Sequence, residues 1–340
     1  MATMRAMQVS RPGADFELVE REVPQPGPGE ALVRVHACGI CHSDSLTKEG
    51  GFPGATHPLV PGHEIAGVIE SLGDGVRGWR IGQRVGVGWY GGNCNYCEWC
   101  RRGDLLNCEN TVIPGITVDG GYADYVVVRA SAMASMPDAL PATEAAPLMC
   151  AGITTYNALR ESGVRAGDRV AVLGIGGLGH LGVQFAARMG LHTIAIARGS
   201  EKESLARQLG AGEYVDSTAR DPAHALQELG GVDLILATAT NAAAMAATFG
   251  GLRPHGKLLV VGASPDPIPV PSMALIAGSK GIVGHASGTA RDSEDTLEFS
   301  VLSGVRPMIE AVPLESAAEA YRKMMSGKAR LRMVLMTGAT

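Results

Sequence analysis

At 340 residues the chain is too long for one ordinary domain, so two are expected, each able to bury its own core. Hydrophobic residues at 46% and charged residues at 19% argue for a folded chain and against disorder. A net charge of −5 excludes the basic footprint of a nucleic-acid or anionic-membrane partner. No apolar run approaches the roughly eighteen residues of a membrane span, and Met1 to Ser10 holds no leader-like stretch, so a cytoplasmic location is expected. In that reducing setting clusters among the seven cysteines read as metal ligands and not as disulfides.

In chain order, Met4 to Val9 and Ala31 to Ala37 are alternating or β-branched runs separated by the Pro24–Gly29 turn cluster, and Gly62 to Leu72 and Arg84 to Val87 continue the pattern. The portion predicts antiparallel strands in a β-rich, barrel-like domain with functional residues on its loops. Cys41-His42-Ser43-Asp44 and Gly62-His63-Glu64 fall within it. A thiolate and an imidazole are half of a metal site, and catalytic zinc takes three protein ligands while keeping a fourth position open. Cys150 is the candidate third ligand. Cys94, Cys97, Cys100 and Cys108 have the spacing of a closed tetrahedral zinc site. One rival is an iron–sulfur cluster, since the first three match the ferredoxin rhythm, but the fourth lies too far along and no proline follows it; the other is four plain buried cysteines, which their closeness argues against. Cys38 is left over and reads as a small buried hydrophobe.

From Asp168 the texture alternates between strands and helices. Arg169 to Leu173 predicts a buried strand, Gly174-Ile175-Gly176-Gly177-Leu178-Gly179 follows at once, and His180 to Met189 predicts a helix. A G-x-G-x-x-G between strand and helix is the context in which glycines admit a dinucleotide pyrophosphate to a helix N-terminus. Strands at Thr193 to Ala197, Val232 to Ala237, Lys257 to Gly262 and Gly281 to Gly284, with helices such as Glu203 to Gly210 and Asn241 to Leu252, predict a doubly wound sheet. An NAD site places an acid about 20 residues past the glycines, and here Arg198 stands nineteen past Gly179. Ser200 and Glu203 have capping-box spacing, which assigns Glu201 and Glu203 to a helix start. Arg198, with room from Gly199 and charge from Lys202, suits a 2′-phosphate and favours NADP(H); stacking of Arg198 on adenine, with NAD(H) also accepted, is the rival.

Together these motifs resemble the zinc-dependent medium-chain alcohol dehydrogenases. The resemblance implies an α/β chain with a GroES-like catalytic domain over residues 1–152 and 288–340 and a Rossmann domain over 153–287. It implies two zinc ions per chain, a catalytic one on Cys41, His63 and Cys150 and a structural one on the four clustered cysteines. Ser43 would accept the alcohol proton or cap a turn, and Asp44 would orient His63. Glu64 would approach the metal transiently or serve as a buried structural carboxylate. The cofactor set comprises His42 (or a solvent-facing histidine there), Thr154, Gly174, Gly176, Gly177, Leu178, Gly179, Arg198, Lys202, Val261 and Arg332, with Arg330 competing for the last place. Phe52 and Trp89 would narrow the pocket toward small or unbranched primary alcohols. Leu46 departs from the family, standing where many members carry a proton-relaying histidine. The implied activity is reversible hydride transfer between an alcohol and NAD(P)+, in a homo-oligomer (dimer or tetramer). The alternatives are an NADPH-dependent aldehyde reductase of the cinnamyl-alcohol-dehydrogenase type, a polyol dehydrogenase, and a non-catalytic nucleotide-binding redox sensor. Retention of Cys41, His63, Cys150 and Ser43 together argues against the sensor.

Overall fold

The computed structural model describes residues 2–53 and 55–338. The chain divides into two compact units, one built from residues up to 150 and from 288 onward, the other from Ala151–Ser287. The outermost positions of the predicted first domain, residues 1, 339 and 340, lie outside the described residues.

The first unit is organised on one long strand, Glu30–Ile40, whose sequence EALVRVHACGI is rich in β-branched residues and nearly all buried. Its length lets it pair with three neighbours: Ile65–Leu72, Tyr125–Arg129 and Arg332–Met336, all antiparallel. Register then decides which termini meet. Cys38 lies opposite Ile65 and Ile40 opposite Met333, so the segments after residue 40, before residue 65 and at residue 332 converge at one end of the sheet. Val33, Val35, Ile40, Ile65, Val85, Val87 and Tyr122 fill the core beneath it. Full burial of such side chains contributes roughly 1.5–3 kcal/mol each. Among the described residues the sheet has seven strands. The strands expected at Met4 to Val9 and Arg84 to Val87 form as Thr3–Val9 and Arg84–Val87. Phe16–Glu22, Ile309–Pro313 and Arg332–Met336 are additional; in FELVERE the outward face carries charges, which hides the strand from a hydrophobic pattern.

The second unit is a six-stranded parallel sheet among the described residues, in the order Glu213–Asp216, His192–Ala197, Arg169–Leu173, Val232–Ala237, Leu252–Val260, Gly281–Gly284. Numbered along the unit this is 3-2-1-4-5-6, the Rossmann order, in which the direction of winding reverses between the first and fourth strands. Both strands read as near-continuous apolar runs, RVAVL and VDLILA, as expected when helices cover both faces.

One local expectation is corrected. The helix over Glu203–Gln208 begins from Lys202, and Ser200 does not cap it. Tertiary contacts set this turn instead: Gly199 has φ +73°, its N–H donates to Asp216 Oδ1 at 2.8 Å and its carbonyl accepts from Tyr214 Oη at 2.6 Å. Glu203 turns to Arg207 one helical turn on, at 2.9 Å. Among the described residues no helix is long and apolar enough to cross a membrane.

Candidate active site and nucleotide loop

The converging strand ends of the first unit bring Cys41, His63, Glu64 and Cys150 together, with one donor atom from each lying within 4.8 Å of the others. Cys41 follows Ile40, His63 and Glu64 precede Ile65, and Cys150 sits in a wide π-type turn over Leu148–Gly152 that follows Pro147. Such turns break the regular helical ladder and recur at functional sites. The Met149 side chain and backbone sit against Gly86 and Gly88, where any Cβ would fall 2.5 Å or less from Met149 atoms, so these glycines let the turn reach the sheet.

The donor spacing fits zinc. Cys41 Sγ and Cys150 Sγ are 3.7 Å apart and His63 Nε2 is 3.4 Å from Cys150 Sγ. A tetrahedron with Zn–S of about 2.3 Å and Zn–N of about 2.05 Å has edges of about 3.8 and 3.6 Å. Glu64 Oε2 is buried without a hydrogen-bond partner, while Oε1 pairs with Arg332, whose side chain is 5% exposed. The thiols interact: their mutual hydrogen bond pulls Cys41 well below the usual thiol range and pushes Cys150 well above it. Burial raises Glu64 to about 7, against the pull of Arg332. Burial works to lower His63, but Asp44 and Cys41 outweigh it and hold it above its ordinary value.

Around this set the predicted residues fall as follows. Asp44 is buried, with Oδ1 at 3.1 Å from His63 Nδ1, in contact but out of line for a hydrogen bond. Ser43 is half-buried at the start of the short helix Asp44–Lys48 and caps no backbone N–H. His42 is exposed, whereas Leu46 and Phe52 are half-buried. The Trp89 ring stands edge-on to His63, centroids 5.2 Å apart at 86°. Arg332, expected with the cofactor, has its guanidinium paired with Glu64 beside the Cys41 and Cys150 sulfurs.

The second cysteine set also closes on itself. Cys94, Cys97, Cys100 and Cys108 place their sulfurs within 4.8 Å of one another. N–H groups aim at these sulfurs: Cys94 N and Asn110 N at Cys108 Sγ (3.3 Å each), Cys97 N at Cys94 Sγ (3.4 Å) and Asn93 Nδ2 at Cys100 Sγ (3.3 Å). Donors directed at sulfur stabilise thiolates, the form that binds metal.

In the second unit the glycines have separate physical reasons. Gly174 has φ +93°. A Cβ on Gly179 would lie 1.7 Å from Gly174 O, so only glycine allows the helix Gly179–Arg188 to start this close to the strand. Around Gly176 nothing lies within 4 Å of a notional Cβ, leaving the backbone open to a ligand. Thr238 Oγ1 donates to Leu173 O and Gly174 O at 2.9 Å each, holding the loop at the winding reversal. Lys202 Nζ donates to Ile175 O at 2.9 Å, which brings its charge to the loop, and Arg198 is exposed just past its strand. Thr154 lies half-buried in the first turn of the helix Ile153–Glu161, and Val261 N donates to Ala237 O at 3.1 Å. Gly177 and Leu178 complete the loop before the helix. Sequence reasoning missed Tyr122, whose hydroxyl donates to Asp44, and Tyr214 with Asp216 at the Gly199 turn. For Tyr122 the available signal was the preceding Gly120-Gly121, a mark of close backbone approach.

Comparison with known proteins agrees with both units. Residues 27–138 match the alcohol dehydrogenase GroES-like domain and residues 177–301 the zinc-binding dehydrogenase domain. Alcohol dehydrogenase notN of Aspergillus sp. (strain MF297-2) is 41% identical over 310 residues, 91% of each chain. Cinnamyl alcohol dehydrogenase of Sorghum bicolor superposes with a TM-score of 0.89 at 30% identity, covering 100% of this chain and 99% of that one. The CAD structure of Helicobacter pylori complexed with NADP(H) gives a TM-score of 0.88 at 27% identity over 100% and 99% of the two chains. Fold and donor set define a zinc-binding dehydrogenase. The chain belongs to the zinc-dependent medium-chain alcohol dehydrogenase family, and its activity is reversible hydride transfer between an alcohol and a nicotinamide dinucleotide.

Proposed function

We propose that this activity uses NADP(H) in preference to NAD(H), with one catalytic and one structural zinc per chain, on small alcohols and their aldehydes or ketones. The observation that carries the metal assignment is the 3.7 Å and 3.4 Å spacing of Cys41, Cys150 and His63, which matches tetrahedral edges. A zinc ion held there supplies the Lewis acidity that lowers the pKa of an alcohol hydroxyl. Asp44 beside Nδ1 selects the His63 tautomer that leaves Nε2 free to ligate. Ser43 accepts the alcohol proton as its own hydroxyl proton passes on to water, since Leu46 offers no onward carrier. Arg332 pairs with Glu64 Oε1, and the unpartnered Oε2 would be the atom with which Glu64 could serve as a further, transient ligand if zinc were held there. Trp89 and Phe52 narrow the pocket.

In this reading residues 1–152 with 288–340 carry the substrate chemistry and 153–287 the nucleotide. His42, Thr154, Val261 and the loop from Gly174 to Gly179 contact the cofactor, while Arg198 and Lys202 take the 2′-phosphate. Support for the last assignment is the Lys202 ammonium seated on Ile175 O beside an exposed Arg198. A homo-oligomer in the cytoplasm is the proposed assembly: the edge strand Gly281–Gly284 exposes Val283, and Met273 and Ile276 in the segment leading to it are exposed as well, apolar surface suited to a second copy. A reductase of the cinnamyl-alcohol type is the second reading, favoured by the sorghum and Helicobacter likenesses. A panel of aliphatic and aromatic alcohols and aldehydes, assayed with each cofactor by nicotinamide absorbance, separates the two. Higher kcat/KM for aromatic aldehydes than for every small alcohol would replace the first reading with the second.

A further inference from the structure

Asp44 has no exposed surface, and a buried carboxylate is sustainable only when its oxygens are held. Its Oδ2 accepts from Cys41 N at 2.9 Å and from Tyr122 Oη at 2.6 Å, and its Oδ1 is turned to His63 Nδ1. Tyr122 is among the largest fully buried side chains. Its ring lies 6.2 Å from that of Phe16 and so close to Gly62 that a Cβ there would fall 2.4 Å from Tyr122 Cδ1. Its backbone is fixed on both sides, N donating to Pro61 O at 3.0 Å and O accepting from Met7 N at 2.8 Å. One side chain therefore touches both ligand-bearing segments, Cys41–Asp44 through its hydroxyl and Pro61–His63 through its ring.

We propose that Tyr122 is a positioning residue for the Cys41–His63–Cys150 centre, its hydroxyl fixing the rotation of Asp44 so that Oδ1 meets His63 Nδ1 and Nε2 faces the two thiols. The inference rests on the reading of that centre as a metal site. With two donors on Oδ2, the carboxylate cannot turn away from His63 without breaking both bonds, and one of these is a hydroxyl bond of charge-assisted length. Burial and the neighbouring carboxylate push the Tyr122 hydroxyl well above the usual phenol range, which keeps it a donor at neutral pH.

The test uses the full chain loaded with zinc and, separately, with cobalt, in Tyr122→Phe, Asp44→Asn, the double variant and Phe16→Leu, beside Cys150→Ser. Release of metal to a chelator and the visible absorption of bound cobalt are followed. Removing a group that orients a metal-bound histidine costs about 10–100-fold in affinity or activity, and Tyr122→Phe, one bond further out, is expected to speed catalytic-site release about 10-fold and to alter the cobalt spectrum. The metal of the four-cysteine lobe should leave at the wild-type rate. Because Tyr122 acts through Asp44, the double variant should be no faster than Asp44→Asn alone. Phe16→Leu, which loosens the ring without touching the hydroxyl, should lower the melting temperature and leave the spectrum in place. Wild-type release and spectrum in Tyr122→Phe, additive effects in the double variant, or a Phe16→Leu spectrum like that of Tyr122→Phe would each overturn the proposal. A wild type whose metal release matches Cys150→Ser would overturn the metal-site reading itself, and the proposal with it.

Discussion

Gly176 and Gly179 stand three residues apart in the same loop, yet alanine at each should fail in opposite ways. At Gly179 the new Cβ would be placed 1.7 Å from Gly174 O and 2.9 Å from Thr238 Oγ1, and the first of these is backbone that cannot step aside. Overpacking of this kind costs about 1–3 kcal/mol, and a backbone clash puts it near the top, at about 3 kcal/mol. At about 2–4 °C per kcal/mol, the nucleotide-binding unit should melt about 6–12 °C lower. At Gly176 the added methyl meets nothing within 4 Å, and φ lies outside the left-handed region, so stability should hold or rise by about 0.4–1 kcal/mol through the unfolded chain. In the proposed reading the space it enters is the one a pyrophosphate would need. Cofactor affinity, read by quenching of protein fluorescence or enhancement of nicotinamide fluorescence, should fall at least about 10-fold, or about 1.4 kcal/mol. Calorimetry and cofactor titration on the two variants test the argument together. A Gly176→Ala protein that melts as low as Gly179→Ala, or that binds cofactor like wild type, would show that the open space at Gly176 is not the cofactor's.

Arg198→Asp should swing the NADP/NAD ratio of kcat/KM by about 10–100-fold toward NAD, the value of one hydrogen bond to a charged group at about 1.5–3 kcal/mol; a wild type that already prefers NAD tenfold would refute the role given to Arg198. Metal analysis should find two zinc ions per chain. Cys150→Ala should lose more than about 100-fold in turnover while staying folded, because even a partner once removed from the metal is worth 10–100-fold, whereas Cys97→Ala should lower the melting temperature, because a closed structural site contributes to folding. A single metal per chain would end the two-site account. Burial, with Arg34 and Arg84 nearby, lowers the pKa of half-buried His36, whose Nε2 has no hydrogen-bond partner. Below the unfolded value of about 6.5 the unfolded chain binds the proton more readily than the folded one, so this contribution is complete above that pH and is lost progressively as pH falls from there through the lowered folded value. The slope of melting temperature against pH between 5 and 7 should be shallower in His36→Phe, and an unchanged slope would remove His36 from the acid response.

The parts of the site that were legible in the sequence are those whose partners lie close along the chain or follow a fixed spacing. The cysteines from Cys94 to Cys108 announce a closed site by themselves, and the glycines from Gly174 to Gly179 sit between the strand and helix that give them meaning. Local rules failed where a distant group took over. Ser200 and Glu203 have the spacing of a cap, but Tyr214 and Asp216 bind the Gly199 peptide first and start the helix later. The pairing of Arg332 with Glu64 was not legible, because the two lie 268 residues apart and only strand register joins them.

That register is also why the first unit tolerates little sliding. Cys41, His63 and Arg332 each sit within two residues of a strand end, and side chains alternate faces along a strand. Ile40 opposite Met333 and Cys38 opposite Ile65 are the pairings that bring those ends together. A slip of one residue between Glu30–Ile40 and Ile65–Leu72 would move His63 by about 3.3 Å, nearly the whole 3.4 Å that separates Nε2 from Cys150 Sγ. The same slip would turn Ile65 and Ile69 out of the core, at a cost of roughly 1.5–3 kcal/mol each. The apolar pattern that folds the sheet therefore also fixes the spacing of the Cys41, His63 and Cys150 donors. The glycines at 39, 62 and 67 serve both ends, because the space beside each is already filled: by the Glu64 carboxylate, by the Tyr122 ring and by Arg34 O.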